Sequence, residues 1–505
     1  MSDSLPSMQE NFQKAKGAYQ AAKPSRFRRQ RTGLGGTADA HYREIDFWNI
    51  REFCRDMDRN DALIGQMIDR AVNNALLSPL TPVPQTPDEE LNKAAKAKWV
   101  DWAPHAERVD IARKFNFHQG CKMMLRHRMV DGDSFALPLG VGALQFIEGD
   151  RVNSPPNLFD SVVHGVEVDS FGGPSRYWLV VENQKRRKHG GHRLPFEFNK
   201  RPAYDDQGFP NVLHLIKPKR FTQSRGMSVL TPVFDLCGQF EDLNFAKVVQ
   251  QQFAACVAVF ITSERDIQRG SRTTESRDDG TTATMEKQSP GAIIRGKPGE
   301  KLTGFSPNVT PPELFDHMKM LLRMIGANVG LPLYLVLMDS SGTVFHGYRG
   351  EFEQAKIGFM ELQNNLIERF CAPIWRWKMR EWFGTDPRYA SLVQSGELYR
   401  HRWSRPGWPY IDPLTDAKAD SMAMENLLVS PRDLSQRRGQ DWNEIVSETV
   451  ADRSFSIRSA AAAAQQLNEE FPGIAVTWRD VLNLKPQTGV SISENKDQTI
   501  SEGSE

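Results

Sequence analysis

Leu314, Phe315, Met318, Leu321, Leu322 and Ile325 recur at intervals of three or four, and Phe352, Ala355, Phe359, Leu362, Leu366 and Phe370 do the same further on. Both patterns predict helices with one buried face. Between them, residues 338–349 form a polar joint that carries Gly342 and Gly347, with Gly350 just beyond. The joint is longer than the roughly 2–8 residues usual between helices. Its glycines allow backbone angles that other residues avoid. It reads as an ordinary connector, or as an adaptable loop held between rigid helices where it can touch something that moves past.

The same reading extends along the chain. Residues 46–77 are predicted helical, with Ile64, Met67, Ile68, Ala71, Val72 and Ala75 as the apolar stripe and Ser78-Pro79 as the stop. Further helices are expected at 88–103, ending in Trp99 and Trp102, and at 106–130. From Asp131 to Pro218 the pattern changes to short strands, at 135–139, 144–147, 162–168, 177–181 and 212–216, bounded by Gly, Pro, Asn or Asp. Thr231-Pro232 opens a helix to about 252, with Thr231 as N-cap and Pro232 at the first helical position. Strands are expected at 256–262 and 291–305, around a Ser/Thr/Arg/Asp/Gly stretch at 263–290 whose composition favours mobility. Pro311-Pro312-Glu313 opens the first helix described above. Its partner runs from about 350 to 383, interrupted near Pro373, and 412–484 is mainly helical, including five alanines at 460–464. The ends, 1–40 and 486–505, read as a basic arm (Lys23, Arg26, Arg28, Arg29, Arg31) and a polar, acidic-leaning tail. The arm suits contact with phosphate or an acidic neighbour, or is simply solvated.

Composition narrows the function classes. The 505 residues suffice for about three domains or one large composite architecture. The formal net charge of +1 means that any nucleic-acid contact needs local patches rather than a global basic field. Five scattered cysteines give no disulfide framework or zinc pattern and suit a reducing compartment. No signal peptide is evident, and no apolar run approaches the roughly 18 residues that would mark a membrane helix. The abundant aromatics leave two readings open for Phe234, Phe240, Phe245 and Trp375: intramolecular core, or contact with neighbouring subunits.

Motifs for catalysis are sparse. Gly291 to Lys297 nearly matches a phosphate-binding loop, but Pro298 stands where that loop needs a hydroxyl. Gly33-Leu34-Gly35-Gly36 lacks the spacing of a dinucleotide fingerprint. Asp131-Gly132-Asp133 reads as a turn, or as a cation site. The basic run Lys185 to His189 reads as a solvated loop. No metal site, cofactor or catalytic residue is assigned, and a binding or structural role is favoured over an enzyme.

Six segments in one order resemble a known family. They are Arg55-Asp56-Met57-Asp58-Arg59-Asn60-Asp61-Ala62 continuing through Ile68-Asp69-Arg70 to Val72-Asn73-Asn74; Leu125 to Asp133, ending Val130-Asp131-Gly132-Asp133, followed by Gln145 to Val152; Gly165 to Asp169 with Tyr177-Trp178-Leu179-Val180; Leu213-His214-Leu215 through Arg225-Gly226-Met227-Ser228; Ile325 to Pro332 with the joint at 338–349; and Pro406 to Pro413 with Lys418-Ala419-Asp420 and Arg438-Gly439-Gln440-Asp441-Trp442. Together they are similar to the portal proteins of tailed bacteriophages, in the lambda-like branch.

The resemblance implies an α+β protomer with a helical stem, mixed α/β wing, β-containing clip and helical crown, assembling into a dodecameric ring at one capsid vertex. It implies a virion protein assembled in the host cytoplasm, with no membrane. The implied partners are double-stranded DNA passing without sequence specificity, the terminase large subunit, the major capsid or scaffolding protein, and a head-completion or connector protein. The implied divisions are arm 1–40, wing 41–226, first stem helix 227–252, clip 253–308, second stem helix 309–337, tunnel loop 338–349, wing and long helix 350–411, crown 412–484 and tail 485–505. Ser340, Ser341, Thr343, His346, Tyr348 and Arg349 would line the tunnel, and Arg265, Arg269, Arg272 and Arg277 would serve the clip interface. Family members often carry a Tyr-Ser-Ser-x-Arg-like run after the loop, where this chain has Phe345-His346-Gly347-Tyr348-Arg349. Arg349 would face DNA or pair with Glu351 or Glu353. The alternatives are another helical virion protein and a nucleotide-dependent DNA motor.

Overall fold

The computed structural model describes residues 36–41, 44–155, 158, 162–181, 197–262, 274–276, 282–284, 292–296, 312–339, 344–410, 412–473 and 475–482. The chain divides into two units, Met1–Leu76 with Pro84–His401, and Leu77–Val83 with Arg402–Glu505. The fold is mixed helix and strand.

The expected helix at 46–77 is two, α1 (Glu44–Asn60) and α2 (Ala62–Ala75). Asp61 divides them: its backbone is extended and its carboxylate accepts from the Leu63 and Ile64 amides. That cap satisfies two of the donors a helix start leaves orphaned. All six residues of the α2 stripe are buried. The chain then crosses β1 (Thr81–Pro84) and forms α3 (Glu89–Trp102), capped by Asp88. The expected helix at 106–130 also breaks, into α4 (Ala106–Val109) and α5 (Phe117–Val130). Asp110 causes the break, its carboxylate accepting from the Ala112 and Lys114 amides. Asn116 and Gln119 then form a reciprocal capping box.

Two antiparallel three-stranded sheets follow. In the first, β2 (Asp133–Pro138) lies between β3 (Leu144–Ile147) and the later β7. The second comprises β4 (Val166–Val168), β5 (Pro174–Val180) and β6 (Phe198–Pro202), in that order; β7 is Leu213–Ile216. β6 was not expected: Phe-Asn-Lys-Arg-Pro is a polar edge strand with little apolar alternation to reveal it. Phe135, Leu137, Val152, Val166, Tyr177 and Leu179 belong to one buried apolar cluster. A second, aromatic cluster joins Trp99, Phe117, Phe370 and Trp375, with Trp99 packed edge-on to Phe117 at 4.8 Å. Trp375 is therefore core.

Thr231 is not an N-cap. It begins a 3-10 turn, Thr231–Val233, and the Ser228 hydroxyl instead accepts from the Leu230 amide. Helix α6 (Phe234–Cys256) runs directly into β8 (Val257–Thr262). Short strands β9 (Thr274–Ser276) and β10 (Thr282–Thr284) pair antiparallel, and β11 (Ala292–Gly296) pairs parallel with β8. The rest of 263–290, expected to be mobile, lies outside the described residues. Helix α7 (Pro312–Val329) packs on α6 and leads into the short α8 (Leu333–Leu337). Helix α9 (Phe345–Leu366), a π-turn (Ile367–Cys371) and α10 (Ala372–Phe383) complete the expected interrupted helix. Pro373 has no N–H for the residue 369 carbonyl. The preceding turn widens, and the Ala372 amide bonds five residues back to Ile367. Helix α11 (Ala390–Ser395) follows.

In the second unit β1 pairs with β12 (His401–Ser404), followed by α12 (Pro413–Glu425), α13 (Pro431–Arg437), α14 (Trp442–Glu470) and α15 (Trp478–Val481). Three residues from the last matching segments meet here. Tyr410 donates to Asp420, Arg438 reaches Asp420 at 3.3 Å, and its guanidinium lies over the Tyr410 ring. No helix among the described residues is long and apolar enough to cross a membrane.

Candidate functional site

The segment expected to be an adaptable joint is anchored on both sides. Before it, Arg70 of α2 donates to the carbonyls of Leu335 and Val336, at 2.8 Å for Leu335. These carbonyls belong to the end of α8, where no intrahelical partner remains, so a guanidinium satisfies both. Gly326 makes the packing possible: a Cβ there would lie 2.7 Å from the Leu331 carbonyl oxygen and 2.8 Å from Val336 Cγ2. Met338 then leaves the helix in a left-handed conformation, φ +54°. Beyond the joint, the Tyr348 ring packs at 4.4 Å on buried Tyr334 and stacks on Phe352.

The non-helical stretch is shorter than 338–349. Helix α9 begins at Phe345 after Val344, and the Tyr348 amide already donates to the Val344 carbonyl. Tyr348 and Phe352 are four residues apart and so share a helix face, which favours this early start. His346, Gly347, Tyr348 and Arg349 therefore stand in the first turns of a helix. His346 is exposed and Arg349 half-buried. Ser340, Ser341 and Thr343 lie outside the described residues, as do Arg265, Arg269, Arg272 and Arg277, the basic run at 185–189 and the arm at 1–35. Gly291, Lys297 and Pro298 are also outside them. Residues 292–296 between them form β11, an extended strand rather than a phosphate cradle.

A second constellation was only partly legible. Asp133 is fully buried at the head of β2 and bonds Arg51 Nη2 at 3.0 Å, Arg225 Nε at 2.6 Å and the Gly226 amide at 3.0 Å. His214 Nε2 stands 3.5 Å away. Arg225, also fully buried, donates further to the carbonyls of Val152, His164 and Gly149. Burial alone would raise the Asp133 pKa; the charges of Arg225 and Arg51, with His214, hold it well below the usual carboxylate range. Asp131, next to it, takes a two-pronged contact from Arg55 at 2.8 and 2.7 Å, with His127 at 3.4 Å. Burial again opposes, and Arg55, His127 and Arg51 bring the Asp131 pKa to about 2.

Both carboxylates of Asp131-Gly132-Asp133 thus serve guanidinium groups. Gly132 adopts φ +98°, and a Cβ on Gly226 would meet the Gly132 carbonyl oxygen at 1.9 Å, so the two backbones touch. Nearby, Arg126 grips Asp58 with two bonds of 2.8 Å and Asp69 with one of 2.9 Å. The first, second and fourth matching segments therefore converge on one ionic framework. It is an arrangement for holding strands and helices in place.

Comparisons with known proteins give the family. The family described as "Phage portal protein, lambda family" matches residues 25–363. The "Probable portal protein" of Halomonas phage phiHAP-1 (isolate -/Gulf of Mexico/-/2001) is 21% identical over 465 residues, covering 86% of each chain. Among solved structures, "Neck of empty GTA particle computed with C6 symmetry" shares 12% identity at a TM-score of 0.43, over 78% of this chain and 94% of that one. "Virion of native gene transfer agent (GTA) particle" shares 12% at 0.39, over 81% and 96%.

Proposed function

The chain belongs to the lambda family of phage portal proteins, and from that premise we propose that twelve copies form a ring at one capsid vertex through which double-stranded DNA is packaged and ejected. The family match over residues 25–363 carries the reading. The family's role is structural, so the motor that drives DNA is a partner, the terminase large subunit, and a head-completion protein joins the ring afterwards. Capsid or scaffolding protein surrounds it. Assembly takes place in the host cytoplasm.

In this reading α6 and α7 supply the stem helices assigned to 227–252 and 309–337, with α6 continuing to Cys256, and 253–308 is the clip, with Arg265, Arg269, Arg272 and Arg277 toward motor and connector. Residues 41–226 and 350–411 make the wing, 412–484 the crown, and 1–40 and 485–505 the arm and tail. The joint at 338–349 faces the channel. Its anchoring by Arg70 on one side and by Tyr334 and Tyr348 on the other supports this, because a loop that meets passing DNA needs a fixed base. Ser340, Ser341, Thr343, His346, Tyr348 and Arg349 then border the constriction. A channel must hold a polyanion without gripping it. Phosphate contacts give affinity without sequence preference, and each steepens its salt dependence. One Arg349 per subunit, repeated around a ring, gives a modest and regular field.

Arg349→Ala tests the assignment. Rings of the variant are expected to assemble normally while DNA packaged and retained per head falls several-fold. Unchanged retention in normally assembled particles would remove Arg349 from the mechanism.

A further inference from the structure

A groove of about 680 Å³ opens in the first unit, bordered by β4, β5, β7, the π-turn and α10. Its buried walls are apolar, with Val166, Tyr177, Val212 and Ile216 nearly inaccessible to solvent. Its rim is exposed and cationic. Lys219, Arg220, Arg369 and Arg376 line it, and among the described residues Glu368 is the one acidic lining residue. Among the described residues no carboxylate pairs with the Lys219 ammonium or the Arg369 guanidinium.

Two of the rim cations are held in place. Arg376 stacks over the Phe209 and Tyr399 rings. Arg369 sits on the π-turn forced by Pro373, a local widening of the kind that recurs at functional sites. Phe221 is fully exposed on the rim, as is Phe171 beside β4. The rim loop is itself tied down by the start of the described chain. Arg220 donates to the Gly36 carbonyl, the Thr222 hydroxyl accepts from the Ala38 amide, and Asp39 accepts from Ser224. The five cations between 23 and 31 precede that anchor in sequence.

We propose that this groove docks an extended acidic segment of a partner protein. An apolar side chain seats against Val168, Pro210 and Pro373, and flanking carboxylates pair with Arg369, Arg376 and Lys219. The charge balance of the rim selects an anionic occupant, and guanidinium groups offer carboxylates a two-pronged partner. The floor of Val166, Val212, Ile216 and Pro373 suits an aliphatic or aromatic side chain, whereas bases would have to stack on the exposed Tyr204 and Phe221 at the edge, an outcome that competition with an oligonucleotide reads out. The proposal is independent of the channel reading, since it concerns the sheets and the π-turn and not the joint at 338–349.

An array of short randomised peptides, probed with the purified full-length protein, tests it. The retained peptides are expected to be enriched in Asp and Glu around a large apolar residue. Arg369→Glu and Lys219→Glu change exposed side chains outside any ion pair among the described residues, and each is expected to weaken the retained peptides about tenfold with an unchanged circular-dichroism spectrum. An array that retains nothing, retention without acidic enrichment, or enrichment that survives both reversals overturns the proposal. Displacement of the retained peptides by a single-stranded oligonucleotide would assign the groove to nucleic acid instead. Displacement by a synthetic peptide of residues 486–505 would assign it to this chain's own acidic end and equally overturn the partner assignment.

Discussion

Asp131 and Asp133 show what single residues contribute here. Removing Asp133 would strand the buried charges of Arg51 and Arg225, which costs about 3–5 kcal/mol, whereas Asp131 pairs with a partly exposed Arg55. Asp131 gives the sharper test because its depressed pKa makes its contribution depend on pH. The group ionises ordinarily near 3.8 and in the folded protein near 2, so the unfolded chain binds its proton more readily. Its stabilisation of about 2 kcal/mol is thus complete above about pH 4 and is lost as pH falls through about 2. Asp131→Asn is expected to lower the unfolding free energy by about 2 kcal/mol at neutral pH and to flatten the stability curve between pH 4 and 2. Urea unfolding across that range measures both, and an unchanged acid limb would show that Arg55 and His127 do not stabilise the carboxylate. The Asp131-Gly132-Asp133 turn was readable in the sequence, but its ligands were not. Arg51 and Arg225 lie 82 and 92 residues from Asp133, and no local pattern connects them.

At the scale of elements, the sequence pattern located most helices and seven of the described strands, while side-chain caps fixed where helices break. The α2 stripe from Ile64 to Ala75 was legible because every member is buried on one face. The breaks at Asp61 and Asp110 were not, because each depends on a carboxylate turning back to its own backbone amides. Asn116 with Gln119 was a signal present in the sequence, since that spacing is a capping box. The early start of α9 escaped because glycines at 347 and 350 argue against a helix that Tyr348 and Phe352 nevertheless support. Two helical glycines separate packing from propensity. Gly326→Ala places a methyl against the Leu331 carbonyl and Val336, and is expected to cost about 1–3 kcal/mol. Gly358→Ala on α9 meets open space and is expected to be neutral or to stabilise by up to about 1 kcal/mol. Thermal unfolding of the two variants measures the difference, and equal midpoints would contradict the tight α7–α8 approach.

At the scale of the whole molecule, the isolated chain exposes more apolar helix surface than a self-sufficient protein needs. Phe245 and Val248 on α6, Phe315, Met320 and Met324 on α7, and Val450 and Phe455 on α14 are all open to solvent. Of the aromatics whose role the sequence left open, Trp375 is core, Phe240 half-buried, and Phe234 and Phe245 exposed. Contiguous exposed apolar surface commonly marks an association site, and identical chains most often close into symmetric assemblies. The segments by which the family was legible also carry the ionic framework: Arg55 with Asp131, Asp133 with Arg225, and Asp58 with Arg126. The joint's role rests on that membership, since polar glycine-bearing segments are common and only the helices around this one give it a frame. Electron-microscopy class averages of the purified full-length protein test the ring. Closed rings of twelve subunits around an open channel are expected. Monomers, or oligomers that do not close, across the range of assembly conditions would contradict it.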